Sequence, residues 1–284
     1  MLVDVHVHVY PPHIAVRISE HIERMGVESG ETTDAGGYLQ LMREGLIDYA
    51  LINEHVDVQR LVERANNYVA ELVNEIPGRL FGMAILTRPD DSSPAELTRC
   101  VKELNFIGLK FQGAVVQTPP TDSQCMRVWE KAVELGIPVL AHGGPHQEEM
   151  YRHMPPNSLF ENEPAAPAEW FGVVREFPDL KLVLAHLAGA AWYRDDVLRL
   201  LRENPKVMLD NSLWYLGMDA DEFVSFVGEV GPDRIMFGSD YPGGNTPKDI
   251  DRFWKLPLDD DAREMIAWRN AASFFDLPLL KEDV

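Results

Sequence analysis

The sequence predicts an α/β protein whose eight parallel strands alternate with helices in a (β/α)8 barrel. Short apolar, β-branched runs recur along all 284 residues, and each run is about as long as a buried strand. Segments with helical periodicity separate most of the runs, at roughly 35 residues per strand–helix unit. The first run lacks the glycine-rich turn that opens a doubly wound sheet. We therefore assign residues 1–284 to a single barrel domain.

The eight predicted strands are continuous apolar segments, as expected when helices cover one face of a sheet and a barrel interior covers the other. Their order along the chain is the order that a closed barrel requires. The predicted strands are 2–9, 47–52, 80–86, 107–111, 137–141, 182–185, 207–209 and 234–237.

The predicted helices lie between these strands, and two have a clear start signal. Asp91-Ser92-Ser93-Pro94 offers a cap followed by proline, and Thr121-Asp122 offers a second cap. Two long loops, 11–45 and 143–164, would cover the C-terminal mouth of the barrel, where active sites lie. The predicted helices are 58–75, 94–104, 123–135, 165–176, 195–202, 220–227 and 260–274.

The charge balance excludes several classes of partner. The chain has 26 Lys and Arg against 46 Asp and Glu, for a net charge of −20. Such a surface is unsuited to nucleic acid or to anionic lipid. We find no signal-peptide pattern and no apolar run of about 18 residues, the length that spans a bilayer. With only two cysteines, Cys100 and Cys125, a reducing cytoplasm is the expected compartment.

The first strand carries the sharpest chemical signal, the segment Asp4-Val5-His6-Val7-His8. Because a strand has a period of two, we expect Asp4, His6 and His8 to share the inner face and the valines to pack outward. Two imidazoles about 7 Å apart on one face can reach the same metal ion. A structural pair of histidines is the alternative, but burying both without partners would be costly.

Polar side chains also follow the later strands, each directly after an apolar run. A conventional core does not repeat this arrangement, whereas the mouth of a barrel does. These residues are Lys110 and Gln112 after strand 4, His142 after strand 5, His186 after strand 6 and Asp240 after strand 8.

The motifs resemble those of the amidohydrolase superfamily, and specifically its amidohydrolase-2 branch, which includes enzymes like aminocarboxymuconate-semialdehyde decarboxylase. The resemblance spans nearly the whole chain and implies a metal site at the mouth of the barrel. It implies that His6, His8, His142 and Asp240 hold the metal, with His186 as the catalytic histidine beside it. The matching segments are Asp-Val-His-Val-His (4–8), Gly-Leu-Lys-Phe (108–111), Ala-His-Gly-Gly (141–144), Leu-Ala-His-Leu-Ala-Gly (184–189) and Phe-Gly-Ser-Asp-Tyr-Pro (237–242).

This donor set favours one divalent metal ion, with zinc as the first choice. A bound cation would lower the pKa of a water molecule toward neutrality, and Asp240 could accept its proton. His186 could polarise a carbonyl or carry a proton. Lys110 is ambiguous: a carboxylated lysine would bridge two metals, whereas an unmodified one would bind a substrate carboxylate as a point charge. We favour one metal and a substrate contact.

Further candidates line the predicted mouth. We expect Lys110, Gln112, His146, Arg152, Trp192 and Trp214 to contact the substrate. The segments 53–55 and 210–212 also follow strands, but an ordinary loop explains them equally well.

The favoured function is a metal-dependent hydrolase acting on a small amide, ester or lactone, with Asp240 and His186 as catalytic residues. The alternative is a decarboxylase of a small unsaturated or aromatic acid, which the same residues would serve. A TatD-type nuclease is disfavoured because strand 4 offers Lys110, and a non-catalytic barrel because the ligand set is intact. The predicted partner is a small molecule, with a carboxylate as one option; a homodimer is left open.

Overall fold

Eight parallel strands form one sheet whose hydrogen-bonded order follows the chain from β1 to β8. The computed structural model describes residues 1–24, 33–113, 118–144 and 166–281. Each predicted strand is present, so the prediction of a (β/α)8 barrel is confirmed. The strands are β1 (Val3–His8), β2 (Tyr49–Asn53), β3 (Leu80–Leu86), β4 (Gly108–Phe111), β5 (Val139–Ala141), β6 (Leu182–Leu184), β7 (Val207–Asp210) and β8 (Ile235–Met236).

Helices follow the strands and bury their apolar faces against them. The helices of the described residues are α1 (Pro12–Arg24), α2 (Ala35–Arg43), α3 (Val62–Val73), α4 (Ser93–Lys102), α5 (Ser123–Leu135), α6 (Pro167–Glu176), α7 (Ala190–Glu203), α8 (Ala220–Val230), α9 (Thr246–Trp254), α10 (Asp260–Glu264) and α11 (Asn270–Phe274). A π-helical turn, Met265–Arg269, joins α10 to α11. No helix in the described parts of the chain is long and apolar enough to cross a membrane.

The barrel closes through the segment that follows β8 rather than through β8 itself. The Val5 amide donates to the carbonyl of Phe237 at 3.0 Å. Farther along, the Asp240 amide donates to the His6 carbonyl at 2.8 Å, and the His8 amide donates to the Tyr241 carbonyl at 2.7 Å. These bonds join the first strand to the end of the last one.

The barrel core has two layers. Inside the strands, an apolar cluster includes Val3, Val5, Leu51 and Met83 and extends to Phe275 in the C-terminal segment. A larger cluster fills the space between the outer faces of the strands and the helices. The apolar part of the interior therefore ends below the residues that carry the polar site.

The pairing of β1 with β2 corrects one sequence-based expectation. Asp4 pairs with Ala50 but Val7 with Ile52, so the register shifts by one residue between them. Consequently Val3 and Val5 join the inner cluster, whereas Val7 and Val9 join the outer one. Asp4 does not share a face with His6 and His8: its carboxylate accepts hydrogen bonds from Tyr38 Oη (2.9 Å) and the Ser239 amide (2.9 Å).

Three helices were not predicted from the sequence. The segment 11–45, expected to be a loop, contains α1 and α2, and α9 follows the last strand. Proline at the first helical position starts α1, and the carboxylate of Asp34 caps α2 by accepting from the Gly37 amide. Most of the second predicted loop, 143–164, lies outside the described residues.

Candidate metal centre

Three side chains at the barrel mouth converge on one point. Nε2 of His6 lies 3.2 Å from Nε2 of His8 and 3.0 Å from Oδ1 of Asp240. The remaining distance, from Nε2 of His8 to Oδ1 of Asp240, is 3.3 Å. We call these three atoms the donor triangle. The two histidines are buried, and the Asp240 side chain is 13% exposed.

The closing bonds of the barrel position Asp240 in the triangle. Asp240 has a φ of 57°, in the left-handed region that non-glycine residues seldom adopt. Its carbonyl accepts from the Gly243 amide at 2.6 Å. A Cβ at position 243 would lie 2.8 Å from Asp240 Oδ2, so a larger residue there would displace the carboxylate. The glycine allows this turn to pack against the site.

Hydrogen bonds on the far side of each ring aim both histidines. Nδ1 of His6 lies 2.9 Å from Oδ2 of Asp210, and Nδ1 of His8 lies 2.8 Å from Oδ1 of Asn53. Asn53 donates its amide to the Val7 carbonyl at 3.0 Å, so its oxygen faces the ring. Both oxygens are acceptors, which places the hydrogen on Nδ1 and leaves each Nε2 lone pair to face the triangle.

The triangle fits a divalent cation. Protein ligands lie about 2.0–2.2 Å from zinc, which places donors at angles of about 90–110° on the order of 2.8–3.6 Å apart. The three observed separations, 3.0, 3.2 and 3.3 Å, fall in that interval. Two imidazoles and one carboxylate suit zinc and other first-row divalent metals.

Electrostatics favour an anionic Asp240. Burial raises the pKa of this carboxyl, but the charge of His6 and the hydrogen-bonding contacts with His6 and His8 prevail and hold it well below its usual range. Burial lowers the pKa of His8 to about 4, so this ring is neutral at neutral pH and free to bind a metal. For His6, burial and Lys110 act to lower the pKa, but Asp240 and Asp210 reverse this effect and raise it.

Lys110 enters the same space from β4. Its side chain is fully buried, and Nζ lies 2.6 Å from Nε2 of His6. Burial lowers the pKa of Lys110 to about 8, although Asp240 and Asp210 oppose the shift. Two residues on, Gln112 places Nε2 3.3 Å from Nε2 of His8. Lys110 and Gln112 thus both contact the histidine pair, consistent with the predicted face.

His186 lies beside the triangle. Its ring centroid is 5.2 Å from that of His6, and a ligand atom of His186 lies within 4.8 Å of those of His6 and Asp240. Burial lowers the pKa of His186. His142 packs edge-on against His186, with ring centroids 4.8 Å apart. Among the described residues, the group of donor atoms around His186 does not include His142.

A narrow cleft opens next to His186. Trp192 and Trp214 line it together with Gly143, Leu213 and Met218. Trp192 remains 41% exposed, whereas Trp214 stacks on Phe223 with ring centroids 4.7 Å apart. The His55 ring lies 6.2 Å from that of His8. The cleft beside His186 is therefore mainly apolar and aromatic.

The sequence profile of the family described as amidohydrolase matches residues 3–277. The chain belongs to this amidohydrolase family. The match includes every described residue of the metal centre, and it confirms the family that the motifs indicated.

Several curated relatives of the chain are named as decarboxylases. It is 28% identical over 246 residues to the gamma-resorcylate decarboxylase of Polaromonas sp. strain JS666, covering 75% of this chain and 76% of the relative. It is 26% identical over 251 residues to the enzyme of the same name from Rhizobium sp. strain MTP-10005, covering 76% of each.

Solved structures share the fold. A 2,6-dihydroxybenzoate decarboxylase complexed with 2,6-dihydroxybenzoate superposes with a TM-score of 0.77 at 20% identity, over 97% of this chain and 98% of that one. A dihydroxybenzoic acid decarboxylase from Polaromonas sp. JS666, with bound manganese and 2-nitroresorcinol, gives 0.76 at 22% identity, over 97% of each chain.

These relatives overturn the expectation of hydrolysis. Hydrolysis of an amide, ester or lactone was the favoured reaction, and decarboxylation was the alternative. Both reactions use the same residues, so the motifs could not separate them. The relatives named as decarboxylases match about three quarters of the chain and favour decarboxylation.

The structure brings together most of the predicted site residues. His6, His8 and Asp240 form the triangle, with His186, Lys110 and Gln112 in contact with it or beside it. Two predicted substrate contacts, His146 and Arg152, lie outside the described residues. The roles of all these residues stay predictions, since neither the geometry of the site nor the similarity to relatives assigns them.

Two partners of the histidines were only weakly indicated by the sequence. Asn53 and Asp210 were grouped with loop candidates, but they prove to hold the rings of His8 and His6. Each is a polar residue at the last position of a buried strand, on the same barrel end as the histidines. That shared position at the strand ends is the signal that could have identified Asn53 and Asp210 as site residues.

Proposed function

We propose that the protein is a metal-dependent decarboxylase of a small aromatic carboxylic acid. The observation that carries the proposal is its similarity to gamma-resorcylate decarboxylases across about three quarters of both chains. The site supports it because a cation site and a buried imidazole lie side by side. Decarboxylation needs both: charge stabilisation on the substrate and a proton for the carbon that loses CO2.

In this proposal, the donor triangle of His6, His8 and Asp240 holds one divalent metal, with zinc and manganese as the candidates. His142 remains the proposed fourth ligand on the family resemblance; its ring packs edge-on against His186, next to the triangle. When bound, the metal supplies positive charge that stabilises negative charge developing on a substrate oxygen. Asp240 acts as a ligand rather than as a proton donor, since its neighbours favour the anion.

His186 supplies the proton. The bond between the ring carbon and the carboxylate breaks, CO2 leaves, and the electron pair stays on the carbon. His186 Nε2, which has taken up the proton of a hydroxyl group on the bound substrate, then donates that proton to the carbon. Lys110 binds a substrate oxygen as a point charge, and Gln112 lies within reach of the same region. Trp192 and Trp214 flank the aromatic ring of the substrate in the cleft.

The direct test measures CO2 release from a panel of aromatic acids, with ester and lactone hydrolysis measured in parallel. We expect CO2 from a hydroxylated benzoate such as 2,6-dihydroxybenzoate and no hydrolysis. The variants His6→Ala and Asp240→Asn should lower the CO2 rate by at least about 10³-fold, because each removes a metal donor. Absence of CO2 from every acid, with one equivalent of metal bound, would reject the proposal.

Metal removal provides a second test. Dialysis against a chelator should abolish CO2 release, and adding back zinc or manganese should restore it. Metal content is measured beside activity, so that the metal giving the highest rate per bound ion is identified. Full activity at less than a tenth of an equivalent of bound metal would contradict the proposal.

A further inference from the structure

Ser212 lies between His6 and His186 and contacts both rings. It follows β7, and its side chain is fully buried. Its Oγ lies 2.9 Å from Nδ1 of His186 and 3.2 Å from Nδ1 of His6. It also donates to Oδ1 of Asp210. One hydroxyl thus touches the proposed proton donor, a proposed metal ligand and the carboxylate that both share.

The Asp210 carboxylate takes up hydrogen bonds on both oxygens. Oδ1 accepts from the amides of His186 and Ser212, each at 3.0 Å, and Oδ2 accepts from His6 at 2.9 Å. Two backbone N–H groups and one ring N–H therefore point at this carboxylate, so both of its oxygens act as acceptors.

A count of hydrogens then fixes the tautomer of His186. The Ser212 hydroxyl has one hydrogen, and the acceptor-only carboxylate of Asp210 receives it. The contact between Ser212 Oγ and His186 Nδ1 must therefore take its hydrogen from the ring. The Ser212 carbonyl, 3.3 Å from the same nitrogen, also requires a donor there. The neutral ring thus carries its hydrogen on Nδ1.

We propose that Ser212 is a positioning residue that holds His186 in the Nδ1–H tautomer, so that Nε2 exchanges the proton with substrate. Nε2 lies on the side of the ring away from Ser212. The inference rests on the proposed function for the identity of the proton acceptor, but the tautomer itself does not depend on it. Asp210 accepts hydrogen bonds from the His6 ring and from the Ser212 hydroxyl, which in turn contacts the His186 ring. One carboxylate therefore orients His6 directly and His186 through Ser212.

The test combines a spectroscopic readout with kinetics. In zinc-loaded protein labelled with ¹⁵N-histidine, His186 should show a protonated Nδ1 and an unprotonated Nε2. Ser212→Ala should shift that population toward Nε2–H and lower kcat by about 10- to 100-fold, with KM and zinc affinity within a few fold of wild type. Ser212→Thr keeps the hydroxyl and should restore both the tautomer and most of kcat.

Ser93→Ala is the matched control, since Ser93 is equally buried but lies in α4, where it bonds only to the Asp90 segment. If Ser212→Ala does not fold, Ser212→Cys replaces it, because a thiol keeps the volume and accepts hydrogen bonds weakly. An unchanged tautomer in the variant, or an unchanged kcat with an altered tautomer, would overturn the inference. If wild type releases no CO2 but the tautomer shifts as expected, only the proposed function fails.

Discussion

Asn53 and Asp210 decide which atoms His6 and His8 present to a metal. Each accepts a hydrogen from Nδ1 and so leaves Nε2 as the donor. An imidazole without such a partner can rotate or change tautomer, which weakens the pre-arranged triangle. The affinity of the site for metal therefore depends on residues that never touch the ion.

Asn53→Ala should lower metal affinity by about 10- to 100-fold, because His8 loses the oxygen that orients it. Competition with a chromophoric chelator measures this directly. Asn66→Ala is the control: Asn66 is another fully buried asparagine, but it bonds to the backbone of Ile85 and to Glu96 rather than to a histidine ring. We expect the control to lose stability and keep its metal affinity. Equal affinity in Asn53→Ala and wild type would contradict the assigned role.

Glu54 should make stability depend on pH. Burial raises the pKa of its carboxyl from 4.5 to about 7, with Arg64 opposing the shift. Between these values the folded protein keeps a proton that the unfolded chain has released, so stability falls as pH rises through this window. Glu54→Gln removes the effect. The Tm of Glu54→Gln minus the Tm of wild type should therefore be about 2–4 °C larger at pH 8 than at pH 5.

The measurement is a thermal scan at several pH values in one ionic strength. Glu63→Gln, an exposed carboxyl on α3, serves as control and should show a constant Tm difference from wild type. A Tm difference for Glu54→Gln that stays flat from pH 5 to pH 8 would show that the buried carboxyl does not control stability in this range.

Residue types and strand spacing made His6 and His8 candidate metal ligands, and the family resemblance implied the full set of His6, His8, His142 and Asp240. The structure brings His6, His8 and Asp240 together, whereas the His142 ring packs against His186. The partners of the rings needed more, because Asn53 and Asp210 look like any polar residue that ends a strand. The register between neighbouring strands decides which of two polar side chains faces a histidine. A single sequence does not reveal that register.

At the scale of elements, the bulge in β1 shows what periodicity misses. Strict alternation would turn Asp4 toward the metal with His6 and His8. The extra residue lets Val5 point inward with Val3 and leaves Asp4 to bind the Ser239 amide, next to Asp240. Alternation predicted the histidine pair correctly but failed at Asp4, because a bulge changes the face without changing the residue types.

The two predicted helix caps should differ in their contribution to stability. Asp122 caps α5 by accepting from the Gln124 amide at 2.8 Å, so Asp122→Ala should cost about 1 kcal/mol. Ser92 precedes α4 without a capping bond from its side chain, so Ser92→Ala should cost under about 0.5 kcal/mol. Urea unfolding measures both. Equal losses would show that the cap geometry is unimportant here.

One of the missed helices has a sequence that disfavours a helix until it packs against the barrel. Helix α2 contains Gly36 and Gly37 near its start, which disfavour helix in isolation, and packing of Tyr38 and Met42 compensates for them. The strands were easier, since continuous burial leaves an unbroken apolar run. The tertiary packing that stabilises α2 is not visible in the sequence, so this helix was not predicted.

At the scale of the whole molecule, the C-terminal segment closes the bottom of the barrel. Phe275 is 4% exposed and belongs to the inner cluster with Val3 and Val5. Phe275→Ala should therefore cost about 3–5 kcal/mol. Phe274→Ala, at a half-buried neighbouring position, should cost clearly less in the same urea titration. Similar losses for both would mean that Phe275 does not anchor the barrel floor.

The closing bonds between β1 and the segment after β8 also determine when the site can exist. His6 and His8 precede Asp240 by more than two hundred residues in the sequence. The bonds that bring them together, from Asp240 to His6 and from His8 to Tyr241, are the same bonds that complete the ring of strands. A nascent or cleaved chain that lacks its last strand therefore cannot assemble the donor triangle. With the triangle in its proposed role, metal binding requires the closed ring, which couples acquisition of the cofactor to completion of folding.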